Sequence, residues 1–268
     1  MQKKISIPVL NVFAEPNETS EVVSQVLYGW TMQVLKENEN FCFIQSPDGY
    51  QGWVSALHLT EVIDYPSLPI AKIKHNAAHI YANPHVNRHK PLLTLPYEVE
   101  LPILSEPPEE DFRWIEVQLL SGQKGWVQRG NVTVNPTLLS LHEALELSHQ
   151  FIGLPYTWGG RSSFGYDCSG FVQMLLKQMG IQLPRDARQQ IQCPSCQKID
   201  WDKKEAGDLL FFGSALAAIT HVAVYLGGEN LIHAAVKPIP LLQVSEVEEL
   251  TTGSRFAYYA ACRVVIDF

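Results

Sequence analysis

The chain has 268 residues, 46% of them hydrophobic and 18% charged, with a formal net charge of −8 at pH 7. That is enough apolar chain for a substantial core and for two or three domains of ordinary size. The acidic balance excludes a nucleic-acid partner gripped through a basic face, no run of about 18 apolar residues exists to span a membrane, and an odd number of cysteines excludes a complete disulfide framework.

Met1-Gln2-Lys3-Lys4 has the charge of an export signal, but the apolar stretch 5–13 is short and broken by Pro8 and Asn11. No secretion signal is expected, and with it a cytoplasmic location. Val12-Phe13-Ala14-Glu15-Pro16 recurs as Ile80-Tyr81-Ala82-Asn83-Pro84, and Gly49-Tyr50-Gln51-Gly52-Trp53-Val54 recurs as Gly122-Gln123-Lys124-Gly125-Trp126-Val127. Two copies of one small domain follow, at 1–64 and 70–135. Short β-branched and aromatic runs cut by Pro, Gly, Asn and Asp predict small antiparallel barrels. The joints are expected at 66–69 and 134–137, and the acidic, proline-bearing stretch 105–111 as a solvated loop.

The rest, 138–268, has a different texture. Leu138, Leu141, Ala144, Leu145 and Leu147 recur at helical spacing and predict a helix within 138–151. A second helix is expected from Cys168 to about 177–179, carried by Phe171, Val172, Leu175, Leu176 and Met179 and stopped at Gly180. Cys168 would then stand in the first turn, where unpaired backbone N–H groups favour an anion. Downstream, 221–226 and 230–235 are two β-rich runs around Gly227-Gly228, a hairpin that sets His221 beside His233.

A neutral thiol is a poor nucleophile and needs an imidazole to take its proton. Taken singly, a cysteine at a helix start is more often a small buried residue, and a histidine near a strand end more often a satisfied core or surface group. Together, in this order, Cys168, His221 and His233 read as nucleophile, base and the group that orients the base. Cys193-Pro194-Ser195-Cys196 has the spacing of a redox or metal pair, but no second pair and no βαβ pattern accompanies it; both uses stay open. Cys42 and Cys262 read as core residues.

Residues 141–265 resemble the NlpC family of papain-like cysteine peptidases of the bacterial cell wall. The likeness rests on Leu154-Pro155-Tyr156-Thr157-Trp158-Gly159-Gly160, Asp167-Cys168-Ser169-Gly170, Leu183-Pro184-Arg185-Asp186-Ala187, Gly207-Asp208-Leu209, His221-Val222 and His233-Ala234. The two repeats resemble bacterial SH3-type barrels, which commonly accompany such domains. The resemblance implies an α+β chain of two SH3-type barrels followed by a papain-like domain. It also implies hydrolysis of the γ-D-glutamyl to diamino-acid bond of peptidoglycan stem peptides, without metal or organic cofactor; peptidoglycan-derived peptides are the expected partners, and a monomer is compatible with this reading.

Carried over by position, the resemblance makes Tyr156 an oxyanion donor beside the Cys168 N–H, with packing against Trp158 as the alternative. It gives Asp167 and Ser169 the free amino end of the substrate, though Asp167 also suits a helix cap. In relatives with this arrangement the first barrel closes one end of the cleft, so that peptides with a free N-terminal L-alanine fit; Tyr50 matches a tyrosine facing that pocket, or else packs the barrel. Trp30 stands where relatives often place an acidic residue, so the usual ion pair is replaced by an aromatic face. Ala187 lacks a hydroxyl some relatives carry, and Arg185 and Asp186 either line the cleft or pair with each other. The alternatives are an acyltransferase or amidase with the same triad, and a wall-binding adaptor without turnover.

Overall fold

The repeated Gly-Trp-Val segments become equivalent strands of two equivalent sheets. The computed structural model describes residues 1–62, 68–105, 112–252 and 256–265. Part of the expected joint at 66–69 and nearly all of the acidic stretch at 105–111 therefore lie outside the described residues. The chain divides into two units, Met1–Thr137 with Ser162–Phe164, and Leu138–Arg161 with Gly165–Phe268.

The first unit holds both barrels. Strands β1 (Gln2–Ile5), β2 (Val9–Phe13), β3 (Val22–Leu27), β4 (Thr31–Asn38), β5 (Phe41–Gln45), β6 (Gln51–Ser55) and β7 (Leu59–Glu61) form one antiparallel sheet. β8 (Ile70–Ile73), β9 (Ala77–Tyr81), β10 (Leu93–Pro96), β11 (Glu100–Ser105), β12 (Trp114–Gln118), β13 (Lys124–Gln128) and β14 (Val132–Val134) form the other. The orders are β3-β2-β6-β5-β4-β1-β7 and β10-β9-β13-β12-β11-β8-β14, the same path traced twice. The repeat has a steric cause. A Cβ on Gly52 would lie 2.5 Å from Val12 Cγ1, and one on Gly125 would lie 2.5 Å from Ile80 Cγ2, so each Gly-Trp pair lets its strand close over the matching aliphatic residue of β2 or β9.

The two barrels expected as separate domains share this unit. Leu27 and Tyr28 pack into the second barrel's core with Ile73, Ile80 and Leu101, while Trp30 packs against both cores. The Leu120 N–H donates to the Tyr28 hydroxyl oxygen at 2.7 Å.

The second unit carries α1 (Leu141–Ser148), α2 (Cys168–Lys177), α3 (Ala187–Gln190) and α4 (Val247–Thr251). Beside them are the two-residue strands β15 (Arg161–Ser162) and β16 (Gly165–Tyr166) and a six-stranded antiparallel sheet. Its members are β17 (Cys196–Ile199), β18 (Leu209–Gly213), β19 (Ile219–Gly227), β20 (Asn230–Ala235), β21 (Leu241–Glu246) and β22 (Tyr258–Val264), in the order β17-β22-β18-β19-β20-β21.

Helix α1 starts three residues later than Leu138, because Ser140 and Glu143 form a reciprocal capping box; Leu138 is left outside the helix and exposed. Helix α2 runs as expected, with a positive φ at Gly180 beyond its end. It is buried from Cys168 to Leu176, and its Phe171 ring meets Phe151 and Tyr166 edge to face. The motif residue Asp208 pins the sheet: Arg263 Nε and Nη2 donate to its two carboxylate oxygens at 2.9 Å, tying the start of β18 to β22. Among the described residues no helix is long and apolar enough to cross a membrane.

Candidate active site

The start of α2 is set by one carboxylate. Asp167 is the N-cap, in extended conformation, and its Oδ1 accepts the Gly170 N–H at 2.7 Å. That turn tolerates only glycine at 170, since a Cβ there would collide with the Gly160 carbonyl oxygen and crowd Asp167 Oδ1. The Trp158-Gly159-Gly160 and Asp167-Cys168-Ser169-Gly170 motifs are thus two halves of one contact. Cys168, the first helical residue, is 7% exposed.

The surroundings of Cys168 work against the anion that a helix start by itself favours. Burial, with the Asp167 carboxylate adding to it, pushes the thiol up to about 12; the Val222 N–H, the Arg185 guanidinium and the Ser169 N–H pull the other way without prevailing. Burial therefore favours the protonated thiol. The Val222 contact also places Cys168 against β19, one residue after His221.

The two histidines meet as the hairpin predicted. His221 Nε2 lies 2.7 Å from His233 Nδ1. Phe212 pairs with His221, Val224 with Ile232, and His233 with Gln243, so residues 221, 233 and 245 share one face across three adjacent strands. Beyond His233 stands a residue the sequence analysis did not name: His233 Nε2 is 3.3 Å from Ser245 Oγ. The signal was present, because each step in the row is 12 residues. A second unnamed residue, Phe256, stacks on the His221 imidazole with 5.9 Å between centroids and planes 8° apart.

Tyr156 is half-buried in a loop whose backbone is tied down by Tyr156 N–H to Pro240 O at 2.9 Å and Thr157 N–H to Tyr166 O at 3.0 Å. Burial raises the phenol, and its proximity to Asp167 and Cys168 raises it further, against Arg185. It stays a proton donor, electrostatically coupled to Cys168. Trp158 is 62% exposed.

Arg185 forms a buried ion pair with Asp167. At 2% exposure it spans Asp167 with both Nη atoms, Nη1 to Oδ1 at 3.0 Å and Nη2 to Oδ2. Nη1 also donates to Ser169 Oγ at 2.8 Å. The Asp186 carboxylate adds to the negative charge around the guanidinium and also lies 3.4 Å from Arg188. Asp167 and Ser169, expected to face a substrate amine, are thus engaged by a buried guanidinium. Gln190 adds a further brace, its Nε2 donating to Ser169 O at 3.1 Å and Pro184 O at 2.9 Å.

Residues 153–257 match the NlpC/P60 family, and residues 8–60 match the bacterial SH3 domain. A γ-D-glutamyl-L-lysine dipeptidyl-peptidase of Bacillus subtilis is 30% identical over 239 residues, covering 84% of this chain and 77% of that protein. The chain belongs to the NlpC/P60 family. A Bacillus cereus protein of the same name is 33% identical over 228 residues, 79% of this chain and 66% of its own length, so the chain spans about two thirds of that relative. The crystal structure of an NlpC/P60 family protein from Bacillus cereus superimposes with a TM-score of 0.85 at 24% identity, covering 98% of this chain and 99% of that one, a likeness of fold. The NlpC/P60 unit is that of a cysteine peptidase, and Cys168 is the cysteine at its helix start.

The first-unit residues singled out from the sequence sit as follows. Tyr50 is half-buried in the turn before β6, its N–H donating to Asp48 Oδ1 at 3.3 Å and its carbonyl accepting from the Ser46 N–H at 2.9 Å. Trp30 is partly buried and packs against both barrel cores. Among the described residues no three His, Cys, Asp or Glu side chains gather so as to hold a metal ion. All five cysteines are free. Cys193 and Cys196 close a turn through Cys196 N–H to Cys193 O at 2.8 Å. Burial first, then Cys262 and Cys193, push the Cys196 thiol up to about 12.

Proposed function

We propose that this protein hydrolyses the γ-D-glutamyl to diamino-acid amide bond of peptidoglycan stem peptides through a Cys168 thioester. The observation that carries the reading is the buried thiol at the start of α2 beside a His221–His233 pair. The names of the Bacillus relatives, γ-D-glutamyl-L-lysine dipeptidyl-peptidases, support the bond and the release of a dipeptide.

His221 Nε2 is taken up by His233, which leaves Nδ1 to exchange a proton with Cys168. Sγ–H gives its proton to Nδ1 as the sulfur attacks the γ-carbonyl carbon, a coupled step that suits a thiol raised by burial. The oxyanion accepts from the Cys168 N–H and the Tyr156 hydroxyl. The His221 imidazolium then gives its proton to the leaving amine and the thioester forms. Water, losing a proton to His221, releases the L-Ala-D-Glu acid and returns the thiol.

A preference for peptides with a free N-terminal L-alanine, and a role in the cytoplasm on wall fragments taken in, belong to the same reading; Tyr50, Trp30 and Asp186 are the residues whose substitution tests the amino-end preference. The experiment is a panel of L-Ala-γ-D-Glu peptides ending in L-lysine or diaminopimelate, with free or acetylated amino ends, followed by mass spectrometry. Cleavage of the free forms alone is the expected result. Equal cleavage of acetylated peptides refutes the amino-end preference, and cleavage of neither refutes the bond assignment.

A further inference from the structure

We propose that Ser245 is a positioning residue for catalysis: its hydroxyl oxygen accepts the Nε2–H of His233 and so keeps His233 in the tautomer whose Nδ1 receives the Nε2–H of His221. The inference rests on the base role proposed for His221.

The row has a direction. His221 acts as base through Nδ1 only if that nitrogen carries a lone pair, which puts the neutral ring's proton on Nε2. After accepting the thiol proton, the ring carries hydrogens on both nitrogens. In either state the His221 Nε2–H points at His233 Nδ1, 2.7 Å away. His233 must therefore keep Nδ1 bare and hold its own proton on Nε2.

The reversed row is the hazard. If His233 carried its proton on Nδ1, it would donate to His221 Nε2 and drive the His221 proton onto Nδ1, the position that must be empty to accept from Cys168. What separates the two rows is the far nitrogen of His233. That residue is 3% exposed, on a strand flanked by β19 and β21, so an Nε2–H there needs a protein acceptor. Ser245 Oγ, on β21 at 3.3 Å and itself 8% exposed, is that acceptor. With alanine at 245 the productive row leaves a buried N–H without its acceptor, whereas the reversed row leaves only a lone pair, and orphaned buried donors are the less tolerated of the two. The hydroxyl thus tilts the equilibrium toward the productive row without touching substrate.

The test uses the full chain, its Ser245→Ala and Ser245→Thr variants, and Cys168→Ala. Long-range proton–nitrogen spectra of 15N-histidine-labelled protein report the His233 tautomer directly, without reference to activity, and thermal melts confirm folding. In the wild type and Ser245→Thr, Nε2 should be the protonated nitrogen. In Ser245→Ala the Nδ1–H form should appear, with kcat on a stem peptide about 5- to 10-fold lower and KM unchanged, while threonine restores both. A wild-type His233 protonated at Nδ1, or a Ser245→Ala protein with unaltered tautomer and kcat, overturns the proposal. Turnover that survives Cys168→Ala would instead break the peptidase reading, and the nitrogen spectra would still decide the role of Ser245 in the row.

Discussion

Replacing Arg185 with methionine keeps much of its apolar stem and removes the charge that faces Asp167. The guanidinium is 2% exposed, spans both carboxylate oxygens and also holds Ser169. Without it the Asp167 carboxylate, also buried, retains the Gly170 N–H and the Ser169 hydroxyl but no counter-charge. Breaking a buried pair from one side costs about 3–5 kcal/mol, which for a unit of this size lowers its melting temperature by on the order of 10 °C. Asp167→Asn should cost a comparable amount, since it strands the guanidinium while keeping an oxygen to cap the helix. The double variant Asp167→Asn/Arg185→Met has neither charge, and its loss should fall short of the sum of the singles by roughly 1–3 kcal/mol. Urea and calorimetric unfolding of the four proteins at pH 7 measures this. Single losses that add to within about 0.5 kcal/mol would refute a coupled buried pair as the support of the Cys168 helix start.

Burial raises Cys168, so its contribution to stability is complete below the unfolded thiol value of about 8.5 and is lost as pH climbs toward about 12. Between pH 8 and 10 wild-type stability should therefore fall more steeply than that of Cys168→Ala, and iodoacetamide labelling of Cys168 should rise with pH throughout; a labelling plateau near pH 6 would contradict this. Tyr156→Phe should reduce kcat on the order of 10²-fold with stability nearly unchanged, the loss typical of one oxyanion donor, and a variant with wild-type kcat would remove Tyr156 from the chemistry. Gly170→Ala should destabilise the second unit by about 3 kcal/mol, toward the upper end for overpacking, because its Cβ meets backbone at Gly160; a near-wild-type melt would contradict that close approach.

What the sequence disclosed was local. The Phe171-to-Met179 spacing with Gly180 located α2, the double glycine at 227–228 located the β19–β20 turn, and the repeated Gly-Trp-Val located equivalent strands in two barrels. Even the α1 start was legible in Ser140 and Glu143, although the leucine spacing drew the eye to Leu138. What stayed hidden depends on distant parts of the chain. Arg185 has an acidic neighbour in sequence, yet its partner lies 18 residues away because the turn into α3 carries the guanidinium under the start of α2. Ser245 is one polar residue in an alternating strand until β21 pairs with β20. The upward shift of the Cys168 thiol follows from how deeply the helix start is enclosed, which no motif encodes. That Trp30 packs against two barrel cores is likewise a contact that nothing in the sequence shows.

The central claim is a Cys168 peptidase acting at the γ-D-glutamyl bond. Its most direct test is incubation of L-Ala-γ-D-Glu-L-Lys with the wild-type protein and with Cys168→Ala, with products identified by mass spectrometry. Release of L-Ala-D-Glu and free lysine by the wild type, abolished in the variant, is the predicted result. An intact peptide with the wild type, or the same products from the variant, would contradict it.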